Sequence, residues 1–210
     1  MQGLRSGPGL EAAPPLESGD HLERAEFERR YAARGDDLKC ELIGGVVFVA
    51  SPVRQPHSHH TALLAYWLGA YAERTPGVQV LLDPSLPLGP RDVPQPDLAA
   101  RLEQGGRSTI DAEGYVAGPV ELVVEVAHSS VANDLHGKKA CYARHGCAEY
   151  LVVLVDEQEA RWFAHDGAGY APVAPDADGT LASRVLPGLR LDPRALFAGD
   201  RRALIAALGR

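Results

Sequence analysis

Three side chains carry the chemistry that this sequence suggests. Asp97 follows two closely spaced prolines, Glu125 lies inside the apolar run "VELVVEVA", and Lys138 belongs to the segment after it. A carboxylate in an apolar run is costly to bury unless a cation compensates its charge. Carboxylate oxygens, a backbone carbonyl and waters are the usual ligands of Mg²⁺. We therefore expect Asp97 and Glu125 to hold one Mg²⁺ ion, provided that their strands are neighbours.

An ion at that position favours one class of reaction. It stabilises charge on a phosphodiester and makes a bound water easier to deprotonate. Lys138 stands four residues after Asp134, so both lie on one face of a helix and Lys138 can reach over the end of the sheet. The three residues together predict a centre that hydrolyses phosphodiesters.

The elements that must position these residues are predicted from periodicity, turn residues and caps. Asp20 is the predicted N-cap of the first helix, and "SPVRQP" separates a glycine-centred hairpin from a second helix. The predicted helices cover residues 21–34, 61–71 and 131–144, with Ser129 or Ser130 capping the third and short helices ending the chain. The predicted strands flank Gly44-Gly45 and cover residues 78–82, 85–88, 97–102, 120–127 and 149–155, with a further hairpin at 157–169.

This order of elements predicts an α/β domain. A mixed central sheet is flanked by helices, with an N-terminal helix and β-hairpin, and residues 120–155 form a βαβ unit. Residues 103–119 are expected to form a loop. Residues 1–19 are rich in Gly, Pro and Ala without periodicity, so we expect a disordered tail followed by a single domain over residues 20–210.

Composition limits the classes of function. The formal charge of −7 argues against a broad electrostatic grip on nucleic acid, so a polyanion requires a local basic groove or a metal. Three cysteines without a CxxC pair argue against a disulfide framework and a four-ligand zinc site. Neither a signal peptide nor an apolar run of about 18 residues is visible, so we expect a soluble cytoplasmic protein.

An ordered series of motifs resembles one known family. "PQPDLAA", "ELVVEVAHSS" and "DLHGKKACYARHGCAEYLVV" look like the Uma family of restriction endonuclease-like proteins, a branch of the PD-(D/E)xK nuclease superfamily. "CELIGGVVFVASPVRQPH" and "DADGTLASRVLPGLRLDP" are similar to its opening hairpin and closing segment. The resemblance covers roughly residues 20–200. It implies a restriction-endonuclease-like fold and a DNA endonuclease that uses Mg²⁺ or Mn²⁺, and a nuclease that cuts both strands is expected to be a homodimer.

The resemblance also implies roles for individual residues. Asp97 becomes the acid of the PD element, Glu125 the acid of the (D/E)xK element, and the backbone carbonyl of Val126 a further metal ligand. The usual lysine position, two residues after the glutamate, is Ala127 here. In the Uma pattern the next helix supplies the lysine, which maps to Lys138.

Lys139 is the less favoured substitute for Lys138. Two further residues match the family pattern upstream of Asp97. Glu41 corresponds to an acid of the "ELxxG" hairpin, with a role in binding metal or orienting water. His57 corresponds to a histidine at the start of the second helix, with a role in contacting phosphate or a leaving group.

Simpler interpretations remain open for the same residues. Asp97 is equally consistent with a turn after Pro96, and Lys138 with an ordinary surface lysine. Glu41 is consistent with an ordinary ion pair to Lys39 or to an arginine. Two other functions also remain: a catalytically silent binding module of the same fold, and a metal-dependent phosphoesterase acting on small nucleotides.

Overall fold

The computed structural model of the protein describes residues 13–35, 38–128 and 130–209, which form a six-stranded sheet, helices on both of its faces and three two-stranded ribbons. The helices are α1 (Arg24–Ala32), α2 (Gln55–Arg74), α3 (Lys139–Arg144), α4 (Pro193–Ala198) and α5 (Arg201–Ala206), and a π-helical turn (Asn133–Lys138) leads directly into α3. The strands are β1 (Cys40–Ile43), β2 (Val46–Val49), β3 (Val78–Leu82), β4 (Leu98–Leu102), β5 (Thr109–Ile110), β6 (Val116–Ala117), β7 (Leu122–Ala127), β8 (Glu149–Leu154), β9 (Glu159–His165), β10 (Tyr170–Pro172), β11 (Leu181–Ala182) and β12 (Arg190–Leu191).

The central sheet is mixed, as predicted. Its strand order is β10-β9-β8-β7-β4-β3, and only the β7–β8 pair is parallel within this described sheet. A parallel pair requires a crossover, and the π-helical turn with α3 supplies it. The predicted βαβ unit is therefore present. Glu125 lies in its first strand and Lys138 in its crossover.

Two hydrophobic cores lie on opposite faces of this sheet. On one face α2 packs through side chains such as Leu64 and Trp67 against the even-numbered positions of β7. On the other face Tyr142 and Tyr150 belong to the core that includes the odd-numbered positions. β7 is thus covered on both sides, which explains its continuous apolar sequence. No helix within the described part of the chain combines the length and apolarity needed to cross a bilayer.

The N-terminal segment packs on the β1–β2 hairpin. The turn of this hairpin contains Gly44 (φ 61°) and Gly45 (φ 83°), and two positive φ angles in succession favour glycine. Residues 1–12 of the predicted tail lie outside the described residues. Further along the same tail, Leu16 is buried and the Gly19 N–H donates to the carbonyl oxygen of Val47. These contacts hold residues 16–19 against the hairpin rather than in the disordered tail that composition suggests.

The first helix begins later than predicted. The predicted cap, Asp20, accepts the N–H of Val47 at its carbonyl, and His21 forms a bridge with Val46. The chain therefore runs extended along β2 before α1 starts at Arg24. Pairing with the hairpin prevents the helix from forming over residues 21–23.

Three other predictions need correction. α2 begins at Gln55 instead of Thr61, because Pro56 occupies the first turn, where a missing N–H costs nothing. Residues 85–88 form no strand, although the Leu86 and Leu88 N–H groups donate to the chain at residues 92–94. The prolines in this stretch remove ladder donors. The expected loop at 103–119 contains the short β5–β6 hairpin, and the predicted cap Ser129 lies outside the described residues.

A buried carboxylate attaches the C-terminal segment to the sheet. Glu149 is 0% exposed at the start of β8 and accepts hydrogen bonds from Trp162 Nε1 at 3.1 Å and Ser183 Oγ at 2.6 Å. It also accepts the backbone N–H of Arg184. Burial raises the pKa of Glu149, and these donors partly oppose that effect. The carboxylate has the partners that a buried charge requires, so it is explained without a catalytic role.

Candidate active site

Neighbouring strands bring Asp97 and Glu125 to the same face of the sheet. β4 and β7 are antiparallel with Leu98 opposite Val124, so the next positions, Asp97 and Glu125, lie across from each other. Because side chains alternate along a strand, both acids point to the face that carries Ala127 and that the π-helical turn covers. They are 7% and 2% exposed respectively. The structure thus produces the juxtaposition that the sequence predicts.

Lys138 reaches this pair of acids from the π-helical turn. Its Nζ lies 3.0 Å from Glu125 Oε1 and 2.9 Å from Glu41 Oε1. Burial alone would lower the pKa of Lys138, but Glu125, Glu41 and Asp134 outweigh it and raise that pKa well above its usual value. Lys138 is therefore a buried, charged ammonium group rather than the surface lysine of the simpler interpretation.

Glu125 is the most enclosed acid of the site. Its Oε1 accepts the ammonium group of Lys138 and the hydroxyl of Tyr142, the latter at 2.9 Å. Burial raises the pKa of Glu125 well above the usual value, and the nearby carboxylates of Asp134 and Asp97 raise it further against the opposing effect of Lys138. The site contains more negative charge than one lysine can compensate.

Asp97 is surrounded by positively polarised groups from β7, from α2 and from the residue before β1. Its Oδ2 accepts the backbone N–H of Val126 at 2.7 Å and lies 3.2 Å from His57 Nε2 in the first turn of α2. Lys39 Nζ lies 3.9 Å from Asp97 Oδ1. Burial would raise the pKa of Asp97, but His57, Lys39 and the Val126 N–H together lower it. Asp97 is therefore held ionised and is more than a turn-capping residue.

Glu41 enters the site from the hairpin. Its Oε1 accepts the backbone N–H of Gln95 at 2.7 Å as well as the ammonium group of Lys138. The alternative partner, Lys39, is instead 3.0 Å from Asp83 Oδ1. Glu41 thus belongs to the same cluster as Glu125, while its role in binding metal or orienting water stays a prediction.

Three members of this cluster are not among the predicted site residues, although their spacing in the sequence relates each of them to one that is. Lys39 lies two residues before Glu41, which puts both on one side of an extended segment. Tyr142 lies four residues after Lys138, on the same helical face. Asp134 is 2% exposed with Oδ1 3.8 Å from Lys138 Nζ, so the i, i+4 relation noted above operates inside the site.

Other candidates lie away from the cluster. The amine of Lys139 lies over the ring of Phe163, 3.6 Å from its centroid, so Lys139 does not substitute for Lys138. The N–H of Val126 is engaged by Asp97, while a ligand role for its carbonyl stays a prediction.

The donor set fits a divalent cation. Four acids, Glu41, Asp97, Glu125 and Asp134, are clustered with two lysines, Lys39 and Lys138. If the exposed Asp83 is left out, these four carboxylates exceed the two lysines by two formal negative charges. One divalent cation would balance that excess. Carboxylate oxygens are hard ligands of the kind Mg²⁺ and Mn²⁺ prefer. The cluster therefore has both the charge and the ligand chemistry for such an ion.

A second group of potential ligands lies elsewhere on the same side of the fold. Asp92, Cys141 and His145 offer ligand atoms within 4.8 Å of one another. Arg144 already donates to both oxygens of Asp92 at 3.0 Å, and the Gly44 N–H donates at 2.6 Å. Burial and the neighbouring Asp92 raise the pKa of the Cys141 thiol, which favours its neutral form within this network. Because Arg144 supplies the compensating charge, this group is an ion-pair network that joins the hairpin turn to α3.

Replacing Asp92 by asparagine is expected to destabilise the protein by about 2 kcal/mol at pH 7, because buried donors lose their charged acceptor. Burial would raise the pKa of Asp92, but His145, the Gly44 N–H and Arg144 lower it to about 2. The contribution of this carboxylate is therefore complete above its usual pKa and is lost as the pH falls from about 4 to about 2. Urea unfolding at pH 7 and pH 3 should show the gap between wild type and Asp92→Asn shrinking at the lower pH. An equal gap at both pH values would contradict the account.

Comparisons with known proteins identify the family and the fold of the chain. The family described as "Uma2: Putative restriction endonuclease" matches residues 24–194. A crystal structure of "a putative nuclease belonging to DUF820" from Anabaena variabilis aligns with a TM-score of 0.62 at 14% identity, covering 84% of this chain and 98% of that one. At that identity the likeness shows the fold, and no protein in the curated set matches the chain. The family match spans most of the sequence and includes every residue of the acid and lysine cluster, so the protein belongs to the Uma2 family.

Proposed function

We propose that the protein is a divalent-metal-dependent endonuclease that hydrolyses phosphodiester bonds of DNA. The observation that carries this proposal is the convergence of Asp97, Glu125 and Lys138, three residues from different elements, at one end of the sheet. Membership of a family described as restriction endonucleases supports the same reaction. Structural packing alone gives no reason to bury four acids beside only two lysines.

Asp97, Glu125 and the carbonyl of Val126 are the proposed ligands of Mg²⁺ or Mn²⁺. An ion bound there stabilises charge on the phosphodiester and lowers the pKa of a bound water. The surrounding donors prepare the ligands for this task. Val126 N–H and His57 orient Asp97, while the Tyr142 hydroxyl orients Glu125.

Lys138 is proposed to stand beside the attacking water as a fixed positive charge. Its raised pKa keeps it protonated at neutral pH, so it acts by electrostatic stabilisation instead of accepting a proton. Glu41 also pairs with the ammonium group and is itself fixed by the Gln95 N–H. Lys138 is therefore preorganised, which avoids reorganisation during the reaction.

The scissile phosphate is proposed to approach from the side of His57 and Lys39. His57 lies in the first turn of α2, where the helix dipole favours a negative group. Lys39 is held there by Asp83 and Asp97. Because the chain carries a formal charge of −7, DNA binding is expected to depend on the metal and on these few cations. Homodimerisation, which would place two such sites on the two strands, stays a prediction.

The test is cleavage of four substrates: supercoiled plasmid, linear duplex, single-stranded DNA and a dinucleotide, each with Mg²⁺, with Mn²⁺ and with EDTA. The proposal predicts metal-dependent cleavage of long DNA. Hydrolysis of the dinucleotide alone would replace it by the phosphoesterase. If no substrate is cut and calorimetric titration with Mn²⁺ releases no heat, the silent binding module is correct.

A further inference from the structure

The π-helical turn is fixed to the sheet by one buried hydroxyl. Tyr150 lies on β8, is 0% exposed, and donates from its hydroxyl to the carbonyl oxygen of Asp134 at 2.8 Å. Asp134 is the second residue of the turn and Lys138 is its last. A hydrogen bond from the sheet thus reaches the π-helical turn at Asp134, four residues before Lys138.

The turn itself has an uncommon geometry. Hydrogen bonds in a π-helix close over one more residue than in an α-helix, and such turns occur often at functional sites. An α-helical turn in its place would rotate the following side chains by about 100°. A Cβ at Gly137 would lie 2.7 Å from the Asn133 side-chain oxygen, so a larger residue there would displace that side chain. The direction of Lys138 therefore depends on keeping this geometry.

Both ends of the turn face the acid cluster. Asp134 and Lys138 are 2% and 6% exposed, and the Asp134 carboxylate accepts the hydroxyl of Ser130 while lying 3.8 Å from Lys138 Nζ. The carboxylate of Asp134 is thus held by the segment before the turn and its carbonyl by Tyr150. Movement of this residue would move Lys138 with it.

We propose that Tyr150 is a positioning residue that sets the direction of Lys138 through the π-helical turn. This inference rests on the proposed function in so far as it concerns catalysis. The aromatic ring alone satisfies the packing of Tyr150 against Tyr142 and Phe163. The hydroxyl supplies what phenylalanine would lack, namely a donor aimed at the turn.

The same aromatic cluster contains a matched control. Tyr170 stacks on Tyr150 with ring centroids 6.0 Å apart, and its hydroxyl donates to the carbonyl oxygen of Cys147 at 2.9 Å. Tyr150→Phe and Tyr170→Phe therefore remove the same kind of hydrogen bond from one cluster. Only the first bond leads to the π-helical turn.

The experiment compares steady-state cleavage of DNA by the two variants with Mn²⁺. Tyr150→Phe is expected to lower kcat roughly tenfold to a hundredfold with little change in KM, because a small misplacement of a catalytic group is costly. Tyr170→Phe should retain kcat. In the Lys138→Met background, adding Tyr150→Phe should cause no further loss, since both changes act through one amine. Equal losses in both tyrosine variants, or additive losses in the double variant, would overturn the inference.

Hydrogen–deuterium exchange separates this inference from the proposed function. Amides of residues 133–138 should exchange several-fold faster in Tyr150→Phe than in wild type or Tyr170→Phe, whether or not DNA is cut. Unchanged exchange would overturn the positioning role. If wild type cuts no DNA under any condition while the turn exchanges faster in Tyr150→Phe, the endonuclease proposal fails and the anchoring of the turn stands.

Discussion

Lys138→Met is expected to lower metal-dependent DNA cleavage about a hundredfold to a thousandfold, the usual cost of removing a preorganised charge from a developing transition state. Methionine keeps most of the side-chain volume but leaves Glu125 and Glu41 without the ammonium group that lies 3.0 Å and 2.9 Å from them. The measurement is kcat on plasmid DNA with Mn²⁺ under saturating substrate. Circular dichroism establishes that the variant is folded.

The adjacent lysine provides the control for this prediction. Lys139 contacts the ring of Phe163 and does not face the acids, so Lys139→Met should retain cleavage near the wild-type rate. The two variants remove the same charge from neighbouring positions, and a general loss of positive charge would affect both alike. Activity that survives Lys138→Met, or an equal loss in Lys139→Met, would remove Lys138 from the mechanism.

Glu125→Gln is expected to abolish both cleavage and the stabilisation of the fold by metal. A ligand present at a hundred times its Kd stabilises the folded state by about 2.7 kcal/mol, which for a domain of this size raises Tm by roughly 5–10 °C. Wild type should show such a rise with Mn²⁺, and Glu125→Gln should show almost none. Differential scanning calorimetry with and without Mn²⁺ measures the effect.

The metal-free protein offers a further check on Glu125→Gln. Glutamine keeps the shape of the side chain and an acceptor for the Tyr142 hydroxyl, while the formal charge excess of the cluster is reduced. The variant without metal should therefore melt within a few degrees of wild type. A large fall in Tm without metal would show that Glu125 serves the fold, and an undiminished Mn²⁺ shift would show that the ion binds elsewhere.

Much of the fold follows from local patterns in the sequence. The Gly44-Gly45 turn, the apolar β7 and β8 strands and the crossover between them are predicted correctly, because turn chemistry and two-sided burial leave strong signals. The failures have two causes, one distant in sequence and one local. Pairing with β2 displaces the start of α1. Residues 85–88 have the composition of a strand, but the prolines in and beside them cannot donate the hydrogen bonds that a sheet requires.

The candidate site divides in the same way. Asp97, Glu125 and Lys138 are recognisable because charged residues stand out in apolar strands or at a helical offset from them. The π-helical turn is invisible to a helical pattern, since the residues on either side of it keep ordinary spacing. The role of the Tyr150 hydroxyl depends on elements brought together by the fold, so the sequence alone does not reveal it.

The most direct test of the central claim is a crystal structure soaked in Mn²⁺ and read by its anomalous difference density. The proposed function predicts a peak between the carboxylates of Asp97 and Glu125, within coordination distance of the Val126 carbonyl. The ion-pair network of Asp92, Cys141 and His145 should show none. A peak at that second group, or no peak near Glu125 in crystals that tolerate the soak, would contradict the claim.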